Sequence, residues 1–329
     1  MVLRTVTALV RHRMAVSIRS TLATRCDTTS SAERVDTESG KGATSALHLL
    51  RIGDRGRELP VVADDGGSFF DARPVTDDFD GDFFATGGIH RLRSALSAGD
   101  LSRAEISGSR IGAPIATPMA VICIGQNYAA HAREMGAAPP AEPVVFLKHP
   151  NCITGPNDDL PIPSFAHRVD WEVELGVVIG QRCRYLPSKE AALDMVAGYT
   201  VSNDVSEREF QLERSGGQWS KGKCFEGFNP LGPYLYPADE VSAGELELFS
   251  WVNGDARQAS STADMIFGVA ELVYELSQIM VLEPGDLINT GTPQGVALSG
   301  AFPYLKRGDV ISVEILGLGR QEQQVVGSS

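Results

Sequence analysis

The stretch Asp170-Trp171-Glu172-Val173-Glu174-Leu175-Gly176-Val177-Val178-Ile179 carries the information that decides the architecture. Its second half is apolar at every position, the pattern of a strand buried on both faces, and with Val169 it predicts one long strand over 169–179. Residues two apart in a strand point the same way and lie roughly 6.5–7 Å apart. Glu172 and Glu174 therefore share one face, and Trp171, Val173 and Leu175 the other. Alternation alone fits an ordinary strand with a wet face equally well. The apolar continuation, however, sets both carboxylates at one end of a buried element, where like charges repel unless a proton or a cation is shared. Asp204 closes the next predicted strand and offers a third oxygen; its bland role is to cap the following segment. Hard divalent ions take such donors and leave positions for water and substrate, which suits catalysis.

Outward from that strand, the chain reads as strand-rich. Ala120–Ile124, Val144–Leu147, Gly198–Ser202, Leu287–Asn289 and Val310–Ile315 are predicted strands, the last two each introduced by a Gly-Asp turn. Short helices are expected at Ala129–Met135 and Lys189–Val196. The strongest helical pattern runs from Thr262 to Met280, with Met265, Ile266, Val269, Leu272, Val273, Leu276 and Ile279 at helical spacing and Ser261 with Asp264 as a capping box. Toward the N-terminus, Leu47–Ile52, Leu59–Val62 and Ser68–Phe70 are short strands, with Asp64-Asp65-Gly66-Gly67 as a hairpin signal. Thr76–Asp82 reads as a solvated acidic loop, Gly88–Leu96 as a helix, and Pro114 and Pro118 as a linker. Many strands with few helices predict an α+β, β-rich fold: a small N-terminal domain over 46–118 and a larger catalytic domain over 119–329.

Composition narrows the function. The 329 residues are 43% hydrophobic and carry a net charge of −13. That charge offers nothing to displace counterions from phosphates, so nucleic acid is excluded as a partner, and apolar runs such as Leu175–Ile179 are too short to span a bilayer. Five scattered cysteines without a CxxC pair favour a reducing compartment over a disulfide framework or a thiolate zinc site. No GxGxxG or GxxxxGK motif supports a nucleotide cofactor. Residues 1–45 stand apart: five arginines precede the first acidic residue, Asp27. The segment reads as a disordered extension, or as a mitochondrial transit peptide that would move a cytoplasmic assignment to the matrix.

Three further groups carry chemistry. In Asn127-Tyr128-Ala129-Ala130-His131-Ala132-Arg133-Glu134 a helix would bring His131 and Glu134 to one face, a carboxylate orienting an imidazole for acid–base work; a surface pair gives the same spacing. Lys221 and Lys223, between glycine and aromatic residues, suit an anion if buried and solvent if not. Asn289-Thr290-Gly291-Thr292-Pro293 is a turn whose hydroxyls and N–H groups can grip a carboxylate, or simply turn the chain.

Taken in order, Ile124–Glu134, Val144–Lys148, Asp170–Gly180, Ala197–Gln211, Gln218–Phe225, Trp251–Gln258, Ser261–Val269 and Leu282–Val296 resemble the fumarylacetoacetate hydrolase family in its short, metal-dependent branch. Gly155-Pro156-Asn157-Asp158-Asp159, Asp204-Val205-Ser206-Glu207-Arg208 and Gln211-Leu212-Glu213-Arg214 are most similar to its 2,4-diketo-3-deoxy-L-fuconate hydrolases, often labelled ureidoglycolate lyases. The resemblance implies a β-roll catalytic domain, paired as a homodimer. It implies that Glu172, Glu174 and Asp204 bind Mg²⁺, with Mn²⁺ or Ca²⁺ as other candidates. His131 and Glu134 would activate water or move protons, Lys223 would stabilise an enolate or oxyanion, and Arg208, Gln211 and Thr292 would contact the substrate's carboxylate and oxo groups. The activity implied is hydrolysis of a C–C bond in a small 2,4-dioxo acid; decarboxylation, isomerisation or ureidoglycolate lysis at the same site, and a non-catalytic binding protein, are the alternatives. Gln294 and Cys224 depart from the family pattern, which puts in doubt which acid is taken.

Overall fold

The computed structural model describes residues 47–327, all within one compact unit; the N-terminal extension read from the sequence lies outside them. Strands β1 (Leu47–Ile52), β2 (Leu59–Asp64) and β3 (Phe69–Asp71) form an antiparallel sheet, followed by helices α1 (Gly81–Ala85) and α2 (Gly88–Ala98). Next come β4 (Val121–Gly125), α3 (Ala129–Glu134), β5 (Val144–Lys148), β6 (Leu160–Ile162), β7 (Val169–Asp170) and β8 (Val173–Ile179). The chain continues through α4 (Glu190–Leu193), β9 (Val196–Asn203), β10 (Tyr236–Pro237), β11 (Glu247–Val252), β12 (Asp255–Ser261), α5 (Val269–Ile279), β13 (Leu287–Asn289), β14 (Val310–Ile315) and β15 (Gly319–Gly327). The architecture is the expected α+β, strand-rich one.

A six-stranded sheet in the order β10-β9-β8-β13-β4-β5 is the centre of the molecule. Its strands are apolar on both faces because both are covered. Val173, Leu175, Val177, Ile179 and Ile288 pack against α5 and against a five-stranded sheet, order β12-β11-β14-β15-β6. On the other face Val121, Val178 and Leu287 meet Leu47, Leu49, Phe79, Phe83 and Leu92 from the N-terminal sheet and helices. Glu174 lies on this second face, opposite Ser202 across the antiparallel β8–β9 pair. Leu49 and Leu235 exchange backbone hydrogen bonds of 2.9 and 2.8 Å, tying β1 to the segment before β10.

Several local expectations are corrected. The long strand over 169–179 is broken at Trp171-Glu172, since three consecutive N–H groups leave the ladder for side chains. Trp171 N–H donates to Asp170 Oδ1 (2.9 Å), Glu172 N–H to Asn203 Oδ1 (3.1 Å) and Val173 N–H to Gln258 Oε1 (3.1 Å). The helix predicted from Thr262 begins only after Gly268. Ser261 caps one 3₁₀ turn, Thr262–Asp264, and Ile266 N–H is taken by the Asn127 carbonyl at 2.7 Å, which keeps Met265–Phe267 out of the helix. Asp264 caps α3 instead, accepting from Ala130 N–H at 2.8 Å. The helix expected over Lys189–Val196 is the single turn α4, because Val196 already pairs with Ile179. Nor is Thr76–Asp82 wholly solvated: Phe79 is buried, Asp78 pairs with Arg51 and Asp80 caps α1.

Candidate metal centre

Glu172, Glu174 and Asp204 each present a carboxylate oxygen within 4.8 Å of the others, and all three residues are buried. Glu174 comes from the start of β8, Asp204 from the residue after β9, and Glu172 from the break that Asn203 holds open. Backbone geometry fixes the spacing of the last two, because Asp204 N–H also donates to the Glu172 carbonyl at 2.9 Å.

Three buried cations surround them. Lys223 Nζ bridges Glu172 Oε2 (2.7 Å) and Asp204 Oδ2 (2.8 Å). Arg208 lies between Asp170 (2.8 Å) and Glu172 (2.7 Å). Lys148 donates to Asp204 Oδ1 and to the carbonyls of Val205 and Phe228. Burial alone would raise the Glu172 carboxyl, but Lys223 and Arg208 outweigh it and hold it well below the usual range. Burial would likewise strip the proton from Lys223, yet Asp204 and Glu172 keep its affinity above that of a free lysine. Glu174 differs. Burial, then Asp204 and Glu172, push its carboxyl well above the ordinary range, with Lys223 and the Gly291 N–H (2.8 Å) opposing. Among the described residues no cation forms an ion pair with it. A buried carboxyl in that position either keeps its proton or shares a cation. Three hard oxygen donors at this spacing, one lacking a countercharge, fit a divalent ion.

His131 is buried on α3, with Nδ1 3.2 Å from Glu134 Oε2. The imidazole is also among the groups that act electrostatically on the Glu172 carboxyl. Glu134 in turn accepts the Gly295 N–H at 3.1 and 3.2 Å to its two oxygens. Thr292 Oγ1 donates to the Val173 carbonyl (2.9 Å) and accepts from Gln258 Nε2 (2.8 Å). Gln211 Oε1 accepts from Arg208 at 2.9 Å. The expected site residues thus converge, though Arg208, Gln211 and Thr292 are bonded to protein groups. Lys221 stands apart, its ammonium exposed and donating to the Arg214 carbonyl.

Lys148, Asp170, Asn203 and Gln258 are participants that sequence reading did not single out. Lys148 had a signal, a lysine closing the apolar run Val144-Val145-Phe146-Leu147. Asp170 had none, although it accepts four donors: N–H groups of Trp171, Ala297 and Leu298, and the Arg208 guanidinium. Lys223 is also set from below. Its ammonium is 5.1 Å from the Phe146 ring centre, and Trp219 packs on Phe146 and fills the space over Gly125, where a Cβ would lie 2.3 Å from the indole.

Comparison with known proteins agrees with this geometry. Residues 120–326 match the family model described as fumarylacetoacetate (FAA) hydrolase, C-terminal. A protein from Burkholderia orbicola (strain MC0-3), named only as a hydrolase, is 46% identical over 283 residues, covering 84% of this chain and 98% of its own. The fumarylacetoacetate hydrolase of psychrophilic Exiguobacterium antarcticum is similar in structure at TM-score 0.75 and 35% identity, over 86% of this chain and all of that one. The maleylpyruvate hydrolase of Sphingobium sp. SYK-6, solved with manganese(II) and pyruvate, gives TM-score 0.70 and 27% identity over the same shares. With the family model covering most of the chain, this protein belongs to the fumarylacetoacetate hydrolase family.

Proposed function

We propose that this enzyme cleaves a C–C bond of a small 2,4-dioxo acid, of the acylpyruvate or 2,4-diketo-3-deoxy sugar acid type, with the help of a divalent cation. The observation that carries the reading is the charge balance of the buried centre. Four carboxyl groups, Asp170, Glu172, Glu174 and Asp204, face three cations, Lys148, Arg208 and Lys223. Adding a divalent ion turns a deficit of one positive charge into a surplus of one, which suits an anionic acid. Held by Glu172, Glu174 and Asp204, Mg²⁺ or Mn²⁺ would supply Lewis-acid polarisation of the acid's neighbouring oxygens.

The chain's own groups then have separate tasks. Glu134 orients His131, so the pair can take a proton from water and return it to the leaving carbon. Lys223 and Arg208, now paired with carboxylates, are placed to turn toward the negative charge that develops on the substrate. Thr292, on the turn beside Glu174 and Gly291, limits where the acid can lie. The catalytic machinery falls within 119–329, with 46–118 as a small domain packed on the opposite end of the sheet face, and the assembly is a homodimer.

The test is a panel of acylpyruvates, 2,4-diketo-3-deoxy sugar acids, ureidoglycolate and oxaloacetate, assayed with Mg²⁺ and with EDTA. Cleavage of a dioxo acid that stops on chelation supports the reading. Turnover of the whole panel surviving EDTA overturns the metal requirement, and decarboxylation or isomerisation without cleavage reassigns the reaction.

A further inference from the structure

Three carboxamides form a row through the core behind the metal centre. Asn203 Oδ1 accepts the Glu172 N–H, and Asn203 Nδ2 donates to Gln323 Oε1 at 3.2 Å. Gln323 Nε2 donates to the Pro156 carbonyl and, at 3.4 Å, to Gln321 Oε1. Gln321 Nε2 ends the row on the carbonyls of Val201 (2.8 Å) and Gly232 (2.9 Å). All three side chains are fully buried. Buried amides are costly unless their groups are paired, and aliphatic residues would fill the same strand face without that requirement.

The row has a direction. A carboxamide's oxygen and nitrogen ends have nearly the same shape, so only its partners decide which way it faces. A backbone carbonyl can only accept, so Pro156 obliges Gln323 to turn its nitrogen that way and its oxygen toward Asn203. That oxygen obliges Asn203 to present its own nitrogen to Gln323 and its oxygen to Glu172. Reversal of Asn203 would set its NH₂ against the Glu172 N–H, donor against donor. Because the Glu172 carbonyl is held by Asp204 N–H, the peptide of one carboxylate residue is gripped at both ends by residues 203 and 204.

We propose that Asn203 is a positioning residue that fixes Glu172 relative to Asp204, and that Gln323 sets the orientation of Asn203. The proposal rests on Glu172 and Asp204 being cation ligands. Gln323 lies on β15, outside the catalytic groups, and its replacement leaves every carboxylate in place.

The experiment is Mn²⁺ titration, by calorimetry and by electron paramagnetic resonance, of the wild type, Gln323→Met, Asn203→Leu and Val62→Ala. Val62→Ala opens a cavity in β2, in the core cluster that holds none of the three carboxamides, and serves as a control for stability loss. Gln323→Met is expected to weaken Mn²⁺ binding about tenfold, the lower end for residues that orient ligands, while Val62→Ala binds like the wild type. Should Asn203→Leu not fold, Gln323→Met carries the test. Wild-type affinity in Gln323→Met, or an equal loss in Val62→Ala at matched Tm, overturns the positioning role. A wild type that takes up no Mn²⁺ overturns the cation reading itself, and the positioning role with it.

Discussion

Lys148 ends strand β5 with its ammonium against Asp204, both side chains sealed from solvent. Removing one partner of a buried pair strands the other, at about 3–5 kcal/mol. Lys148→Met should therefore lower unfolding free energy by about 3 kcal/mol, with Lys223 still on the other Asp204 oxygen, and be partly restored by saturating Mn²⁺, which would supply the missing countercharge. Urea melts with and without the ion measure both; a loss below about 1 kcal/mol would show the pair to be dispensable.

Glu174 is the carboxyl without a countercharge among the described residues, so Glu174→Gln removes a proposed ligand and a repulsion together. Metal-free protein should melt at the same temperature or higher than wild type, and Mn²⁺ affinity should collapse. Calorimetric titration beside thermal circular dichroism decides it; unchanged Mn²⁺ affinity would sink the ligand assignment.

The raised Glu174 carboxyl also predicts a pH dependence. Unfolded, it loses its proton near the ordinary value of 4.5, whereas the folded, metal-free protein holds that proton to higher pH. The native state then binds more protons than the unfolded one, so stability falls as pH rises above about 4.5 and levels off beyond the folded value. Mn²⁺ displaces the proton and should flatten this decline. Proton release on Mn²⁺ binding, read by calorimetry in buffers of different ionisation enthalpy, should appear above about pH 4.5 and fade once the pH passes the folded value; no release at any pH would refute it. Asp158 acts in the opposite sense on the acid side. Burial works against its ionisation, but Arg110 and Thr154 hold it below 3.8, so its stabilisation is present above that value and is lost as pH falls through the folded one.

Gly125 leaves no room for a Cβ under Trp219. Gly125→Ala should displace the indole, shift Lys223 four residues on, and cost about 1–3 kcal/mol by overpacking. Trp219→Leu in the same chain should recover part of that loss. A double-mutant cycle on stability, with kcat measured alongside, checks the coupling; strictly additive losses would contradict it.

Glu134→Gln keeps an oxygen for the Gly295 N–H but loses the charge beside His131. If the pair moves the proton, kcat should fall by about 10²–10⁴ with Mn²⁺ affinity unchanged. A normal pH–rate profile at full kcat would remove Glu134 from proton transfer.

How far the sequence reaches depends on the distance between cause and effect. Glu174 was legible because its reasons are local: an apolar strand on one side, an acidic neighbour on the other. The break at Trp171-Glu172 was not, since the acceptors that open it, Asn203 and Gln258, lie far along the chain and their alternative as ordinary polar residues reads the same. Met265 and Ile266 fit a helical stripe, yet the Asn127 carbonyl claims the Ile266 N–H and periodicity cannot weigh that competitor. The hairpin at Asp64–Gly67 was readable from its turn residues, and Gly67 N–H indeed closes on the Asp64 carbonyl at 3.0 Å. Lys223 was visible as a lysine near aromatics, but its burial between two acids required the fold.

The alignment of Glu174 with Ser202 has a consequence for sample homogeneity. Side chains alternate along β8, so sliding it one residue past β9 would carry Glu174 into the layer against α5 and bring Val173 to the carboxylate cluster. Such a slipped form would bury a bare carboxylate among aliphatics and expose valines to the polar side. Folded but misregistered molecules are thereby selected against by the same strand that carries Glu174. A preparation that gives a single native spectrum should titrate to one competent centre per chain, without a silent fraction.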